Sequence, residues 1–278
     1  MAQRLLALLL AFTLTTAGCV SGGGGREADV SRGLGLSSDE IKVGEKIHAE
    51  IISQFYLYTE PSVVDYVEAI KEAVAAQAGR QSFPYRLTLL HHEKIYATSA
   101  PGGYLYVTTG MLNFLQNDAE LAAVLAHEIG QLQIRDPRLS VGRKMLQTLT
   151  RTGAFAAPLF GQFGALAALG LIMLNGVAEA KTFDAEQKLL LADEKALTYM
   201  VDAGYDPQGL PDVLYNFLHA DKRIIPFFYD YYQSRPITEL RMLSVNKVFS
   251  ELPLADKTFT VNRENYLEAM KGVFEIYR

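Results

Sequence analysis

The sequence predicts an α+β domain, mainly helical, with a small antiparallel-containing sheet set between two groups of helices. Three observations predict it. Helical signals come first along the chain, two β-prone runs flank a Pro-Gly-Gly turn, and an apolar helix then leads into further helices.

Taken in order, Ser37 and Glu40 form a capping box that opens a helix running to about Gln54. Pro61 suits the first position of a second helix, and Val63, Val64, Val67 and Ile70 mark its apolar stripe to about Ala78. The runs Tyr85 to Leu90 and Tyr104 to Thr108 are apolar and β-prone, and Pro101, Gly102 and Gly103 form a turn between them. A buried helix follows from about Asp118 to Ile134, stopped before Pro137. After Asp193 another helix runs to Asp202, where Gly204 and Pro207 supply a stop. Residues 41–278 thus suffice for one domain with a substantial core.

Residues 1–18 read as an export signal. Arg4 supplies a cation, Leu5 to about Leu14 an apolar run, and Thr16, Ala17 and Gly18 a small-residue cleavage site. Ala-Gly followed by Cys19 is similar to a bacterial lipobox, although Thr16 stands where leucine is more usual. Cys19 is the only cysteine, so it has no disulfide partner within the chain and fits a thiol consumed by lipid attachment. Residues 19–40 then form a tether that is glycine-rich from Gly22 to Gly25. Val20 rather than aspartate follows the cysteine, which by that similarity implies the outer membrane, on its periplasmic face. An ordinary secretory signal is the simpler alternative.

The net charge of -5 and pI near 5.6 argue against nucleic acid as a partner. No repeat of solenoid period is present. Residues 152–178 carry no charged side chain and are long enough to span a membrane. Pro158, Gly161, Gly164 and Gly170 interrupt them and favour two shorter apolar helices, a buried hairpin or cover, over a membrane-dipping segment.

The chemistry sits in Ala119 to Leu132. An H-E-x-x-H helix places two histidines at i and i+4 on one face, where both can hold a zinc ion while the glutamate activates its water. His127 and Glu128 fit this pattern, but Gln131 occupies the second histidine's place. A glutamine amide is a poor zinc ligand.

The blocks IKVGEKI, APGGYLYVTTGML, AELAAVLAHEIG, ADEKAL, DAGYDP and RPITELR, in this order, resemble the HtpX- and BepA-like zinc metallopeptidases, peptidase family forty-eight. The resemblance covers roughly Ile41 to Phe249 and is nearest to the single-domain lipoprotein members. It implies a gluzincin-type zincin domain, with an edge strand above the zinc helix that pairs with extended substrate. The positions matching that strand are Gly102, Gly103, Tyr104 and Leu105; their simpler reading is a turn followed by an ordinary strand.

The same resemblance implies a third ligand, a glutamate four residues before the aspartate of an Ala-Asp pair. That pair is Ala192 and Asp193, so the ligand position holds Leu189. Glu186, one turn earlier, is the nearest substitute. Arg235 stands where the family often has a histidine, whereas Arg241 is retained. Asp193 matches the residue that orients the first zinc histidine, which implies a surviving His127–Asp193 hydrogen bond. His91 and His92, expected on a strand and pointing to opposite faces, and His48 and His219, on other helices, read as packing or surface residues.

The expected protein is therefore a lipid-anchored, metallopeptidase-like chain with vestigial His127 and Glu128 and no metal cofactor. It would bind extended or misfolded polypeptide, or an envelope protein partner, in protein quality control. The rival is an active zinc metalloendopeptidase that uses His127, the Gln131 oxygen and Glu186, with Glu128 as base.

Overall fold

A computed structural model describes residues 38–79, 84–134, 182–220 and 237–277. The leader, Cys19, Ser37, most of the tether, the apolar segment 152–178 and Arg235 lie outside the described residues.

Helix α1 (Ser38–Gln54) starts where the capping signal places it. Helix α2 (Pro61–Ala75) carries its proline in the first turn, and Val63, Val67, Ile70 and Val74 are buried. It stops at Ala75 rather than near Ala78, because the amides of Gln77 and Ala78 close a turn onto the carbonyls of Val74 and Ala75. Strands β1 (Arg86–Leu90), β2 (Ala97–Ala100) and β3 (Tyr104–Thr108) form a mixed sheet in the order β1-β3-β2. Strand β3 is central, parallel to β1 and antiparallel to β2.

The structure corrects two expectations. Tyr104 and Leu105 do not lie on an edge: Tyr104 pairs with both Arg86 and Ala100, and Leu105 with both Leu87 and Ser99. The described edge is β2, in which only Thr98 among Ala97, Thr98, Ser99 and Ala100 is β-prone and no burial alternation shows, since all four are buried. Pairing and packing make it a strand. The second correction concerns His91 and His92, which follow β1 rather than belonging to it. His91 stacks on Tyr58 and His92 lies against Phe55, so both pack rather than converge.

Gly102 and Gly103 form a single 3₁₀ turn with Pro101, and their φ values of 79° and 88° are left-handed, which favours glycine at both. Helix α1 seats on this turn. A Cβ on Gly44 would lie 2.0 Å from the Pro101 carbonyl oxygen. Gly44→Ala is therefore expected to destabilise the domain by about 1–3 kcal/mol through overpacking. The change should appear as a lower urea midpoint at constant slope, and an unchanged midpoint would mean that the close contact relaxes freely.

Helix α3 (Thr109–Phe114) leads to α4 (Asp118–Ile134), in which every side chain from Asp118 to Leu132 is buried. This helix is the axis of the fold, packed against α2, β2, α5 (Thr182–Asp202) and α6 (Gly209–His219). Helix α5 begins well before Asp193, so Glu186, Leu189 and Asp193 share one helix. It ends as expected before Gly204, whose φ is 80°. Helix α7 (Glu239–Glu251) lies on α5, and α8 (Arg263–Ala269) and α9 (Lys271–Ile276) close the chain. The Tyr266 hydroxyl donates to the Leu112 carbonyl at 2.6 Å, pinning α8 to α3.

Candidate functional site

His127 and Gln131 lie one turn apart on α4, so their side chains share a face. Asp193 comes from α5 and Arg241 from the first turn of α7. All four are buried, with His127 3% exposed and Asp193 1%. The Arg241 guanidinium grips Asp193 with two bonds, Nε to Oδ2 at 2.7 Å and Nη2 to Oδ1 at 2.9 Å. The expected His127–Asp193 bond is present, with Nδ1 and Oδ1 2.7 Å apart.

Burial alone would raise the Asp193 pKa. The Arg241 guanidinium, and then His127, overcome that cost and hold it at about 2. Asp193 is thus a carboxylate that can only accept, so His127 carries a proton on Nδ1 and donates it. In the neutral tautomer the remaining Nε2 lone pair would be the metal-binding one. The Gln131 amide nitrogen lies 3.3 Å from it and donates there. The residue standing where the H-E-x-x-H pattern has its second histidine thus makes its contact with the Nε2 of His127.

Leu189 lies one turn before Asp193 on α5 and is 1% exposed. Glu186 does not take its place, because its Oε1 accepts the Thr238 hydroxyl at 2.6 Å. Thr238 in turn caps α7 by accepting the Arg241 amide at 3.0 Å. A continuous chain of bonds thus runs from Glu186 through Thr238 and Arg241 to Asp193, His127 and Gln131, tying α5, α7 and α4 together. Sequence reasoning retained Arg241 without a role and passed over Thr238 as a cap, although threonine is a preferred residue at a helix start.

These residues do not fit zinc. They offer an imidazole with an engaged lone pair, an amide and a hydrocarbon, and among the described residues no three His, Cys, Asp or Glu groups are placed to hold a metal. Glu128, at the position of the general base, is 1% exposed. In the H-E-x-x-H pattern that glutamate takes its proton from a metal-bound water.

Strand β2 runs beside α4. Tyr104 stacks on His48 of α1 at 4.6 Å, so Tyr104, Tyr106 and their partners Ala100 and Thr98 face α1. Alternation turns Ala97 and Ser99 to the opposite face, toward α4. The Ser99 hydroxyl is buried there with no hydrogen-bond partner among the described residues. The Thr108 amide donates to the Tyr96 carbonyl at 3.0 Å, which sets the ladder phase. The backbone N–H and C=O of Ala97 and Ser99 therefore point away from β3. Among the described residues no strand pairs with that outer edge.

A buried helix bearing His-Glu, a small mixed sheet laid along it, and a following helix that supplies the orienting aspartate define a zincin-like metallopeptidase domain. A family model described as Peptidase family M48 matches residues 61–248. The chain belongs to that family. It is 22% identical over 244 residues to the beta-barrel assembly-enhancing protease of Escherichia coli K12, a match covering 84% of this chain and 48% of that protein. The protein of the same name from Yersinia pestis is 27% identical over 193 residues, 66% of this chain and 39% of the relative. Mitochondrial metalloendopeptidase OMA1 of Arabidopsis thaliana is 24% identical over 142 residues, 51% of this chain and 27% of its own. The chain spans about half or less of the length of these relatives.

Proposed function

We propose that this chain is a hydrolytically silent M48 protein that holds extended polypeptide, or a partner protein in extended form, along the outer edge of β2. One observation carries the reading. The Gln131 amide occupies the His127 nitrogen that a zinc ion would need, while Leu189 fills the third-ligand position with hydrocarbon. The binding half of the reading is supported by the outer edge of β2 beside α4, with which no described strand pairs; all four of its residues are buried, so an added strand reaches its backbone groups only when that edge is uncovered.

The Cys19 lipobox would hold this surface at the outer membrane, facing the periplasm. No helix among the described residues is long and apolar enough to cross a membrane. The relatives named for enhancing β-barrel assembly support service in envelope protein quality control, by analogy alone. The rival, an active metalloendopeptidase recruiting Glu186, is not favoured by the geometry, since Glu186 is engaged by Thr238.

The test is zinc stoichiometry by elemental analysis of the mature chain purified without chelator or affinity metal, with an unfolded protein offered as ligand and substrate. Almost no zinc, a folded domain, and retention of the unfolded protein without cleavage are expected. About one zinc per chain, or cleavage that zinc chelation abolishes, would overturn the proposal.

A further inference from the structure

A concavity lies toward the other end of α4 from His127, walled by the loop after β1, by α3 and by the end of α6. Its volume is about 640 Å³, within the range of small-ligand sites. Glu93, Asn113, Phe114, Gln116, Asn216 and His219 supply its functional groups, and no described lysine or arginine lines it.

The polar groups can be accounted for one by one. Gln116 is spent: its amide donates to the Phe114 carbonyl at 2.9 Å, and its oxygen accepts Arg263 at 3.2 Å. The Asn216 amide nitrogen is directed at Glu120 Oε1, at 3.5 Å, which leaves its oxygen as an acceptor. The His219 Nδ1–H donates to the Tyr215 carbonyl at 2.9 Å, which leaves Nε2 to accept. Among the described residues, the side chains of Glu93 and Asn113 have no ion-pair or hydrogen-bond partner.

Two further features bias the cleft toward positive charge. Helix α6 ends at His219, so its last carbonyls carry the partial negative charge of a helix C-terminus. Phe114, held in place by stacking on Phe217 at 4.8 Å, supplies an aromatic wall on which a cation or an alkyl chain can rest. The opposing positive end of α4 is already satisfied, because Asn117 Oδ1 accepts the Glu120 amide and Glu120 Oε2 accepts the Gln116 amide. The cleft offers acceptors, one free carboxylate and an aromatic wall.

We infer that this cleft binds a primary alkylammonium group, with Glu93 as counter-ion, Asn216 and His219 as acceptors and Phe114 as apolar wall. That chemistry arrives on a free polyamine or on the lysine side chain of a polypeptide. The inference is independent of the metal-site reading, since no residue of the His127 cluster takes part.

The test is a titration of the mature chain at low ionic strength, followed by NMR shifts of the cleft amides. The probes are putrescine, Nα-acetyl-lysine methylamide, and the same lysine derivative acetylated on Nζ. Either charged probe should shift these amides saturably and lose affinity as salt is raised, and the Nζ-acetylated control should not bind. Tighter binding of putrescine would point to polyamines, and tighter binding of the lysine derivative to polypeptide. Glu93→Gln, on an exposed loop and expected to fold normally, should weaken binding at least about threefold. Asn113→Lys, which places a tethered ammonium in the cleft, should compete with the probe. The inference is overturned if neither charged probe binds, if the acetylated control binds as well, or if both variants bind like the parent.

Discussion

Asp193→Ala is expected to cost about 3–5 kcal/mol of folding stability, the largest effect of any single side chain in the buried network. The carboxylate takes two bonds from the guanidinium of Arg241, which is 2% exposed and cannot deprotonate. Removing it takes the carboxylate partner from a buried guanidinium and the acceptor from the Nδ1–H of His127. Asp193→Asn keeps the volume but not the charge and should cost nearly as much.

The pH dependence follows from the same geometry. The folded pKa of about 2 lies below the ordinary aspartate value of 3.8, so the contribution is complete above about pH 4 and is lost as pH falls through about 2. Urea unfolding of parent and variant across this acid range checks both statements. The gap between the two proteins should narrow toward pH 2, and a gap independent of pH would mean that the carboxylate is not charge-coupled to Arg241.

The second large effect is expected from rebuilding the site. Leu189→Glu alone places a carboxylate in the core without a cation, and should cost on the order of 3 kcal/mol. Gln131→His alone should leave stability nearly unchanged and take up little zinc, because two imidazoles without a third protein ligand fall short of the set that zinc sites use. The double variant should bind about one zinc per chain. Zinc should then restore its thermal stability by about 4 kcal/mol at a thousandfold excess over the dissociation constant. Elemental analysis and thermal melts with and without zinc read all of this. A double variant that takes no zinc would show that α5 does not present position 189 to His127. A full equivalent on Gln131→His alone would mean that another group completes the site.

Much of the site is legible in the amino-acid sequence because its signals are local. The i, i+4 spacing of His127 and Gln131 depends only on helical pitch, and the Ala192-Asp193 pair marks α5 by its own residues. The resemblance, counted back one turn from that pair, implies Leu189 as the third-ligand position. The long apolar run from Ala119 makes α4 recognisable as a buried helix, and Gly204 marks the end of α5 by its positive φ.

Other features are not legible because no local signal encodes them. Strand β2 is made of Ala97, Thr98, Ser99 and Ala100, which would suit almost any conformation. Its strand identity, and hence the edge, comes from hydrogen bonds to β3 and burial against α4. The resemblance implies an edge strand at Gly102 to Leu105, and nothing local corrects it, because the partners on either side of β3, Arg86–Leu90 and Ala97–Ala100, are set by register rather than by composition. Glu186 reads as a substitute ligand because nothing near it in the chain reveals its bond to Thr238, 52 positions away.

Pitch, alternation and turn chemistry act between near neighbours, so the chain's own order of residues was enough for α1, α2, α4 and the second half of α5, for two of the three strands, for the family and for the departures from its ligand set. Tertiary packing alone settled which strand is the edge and where Glu186 bonds. These depend on residues brought together by packing, whose separation along the chain carries no information about their distance in space.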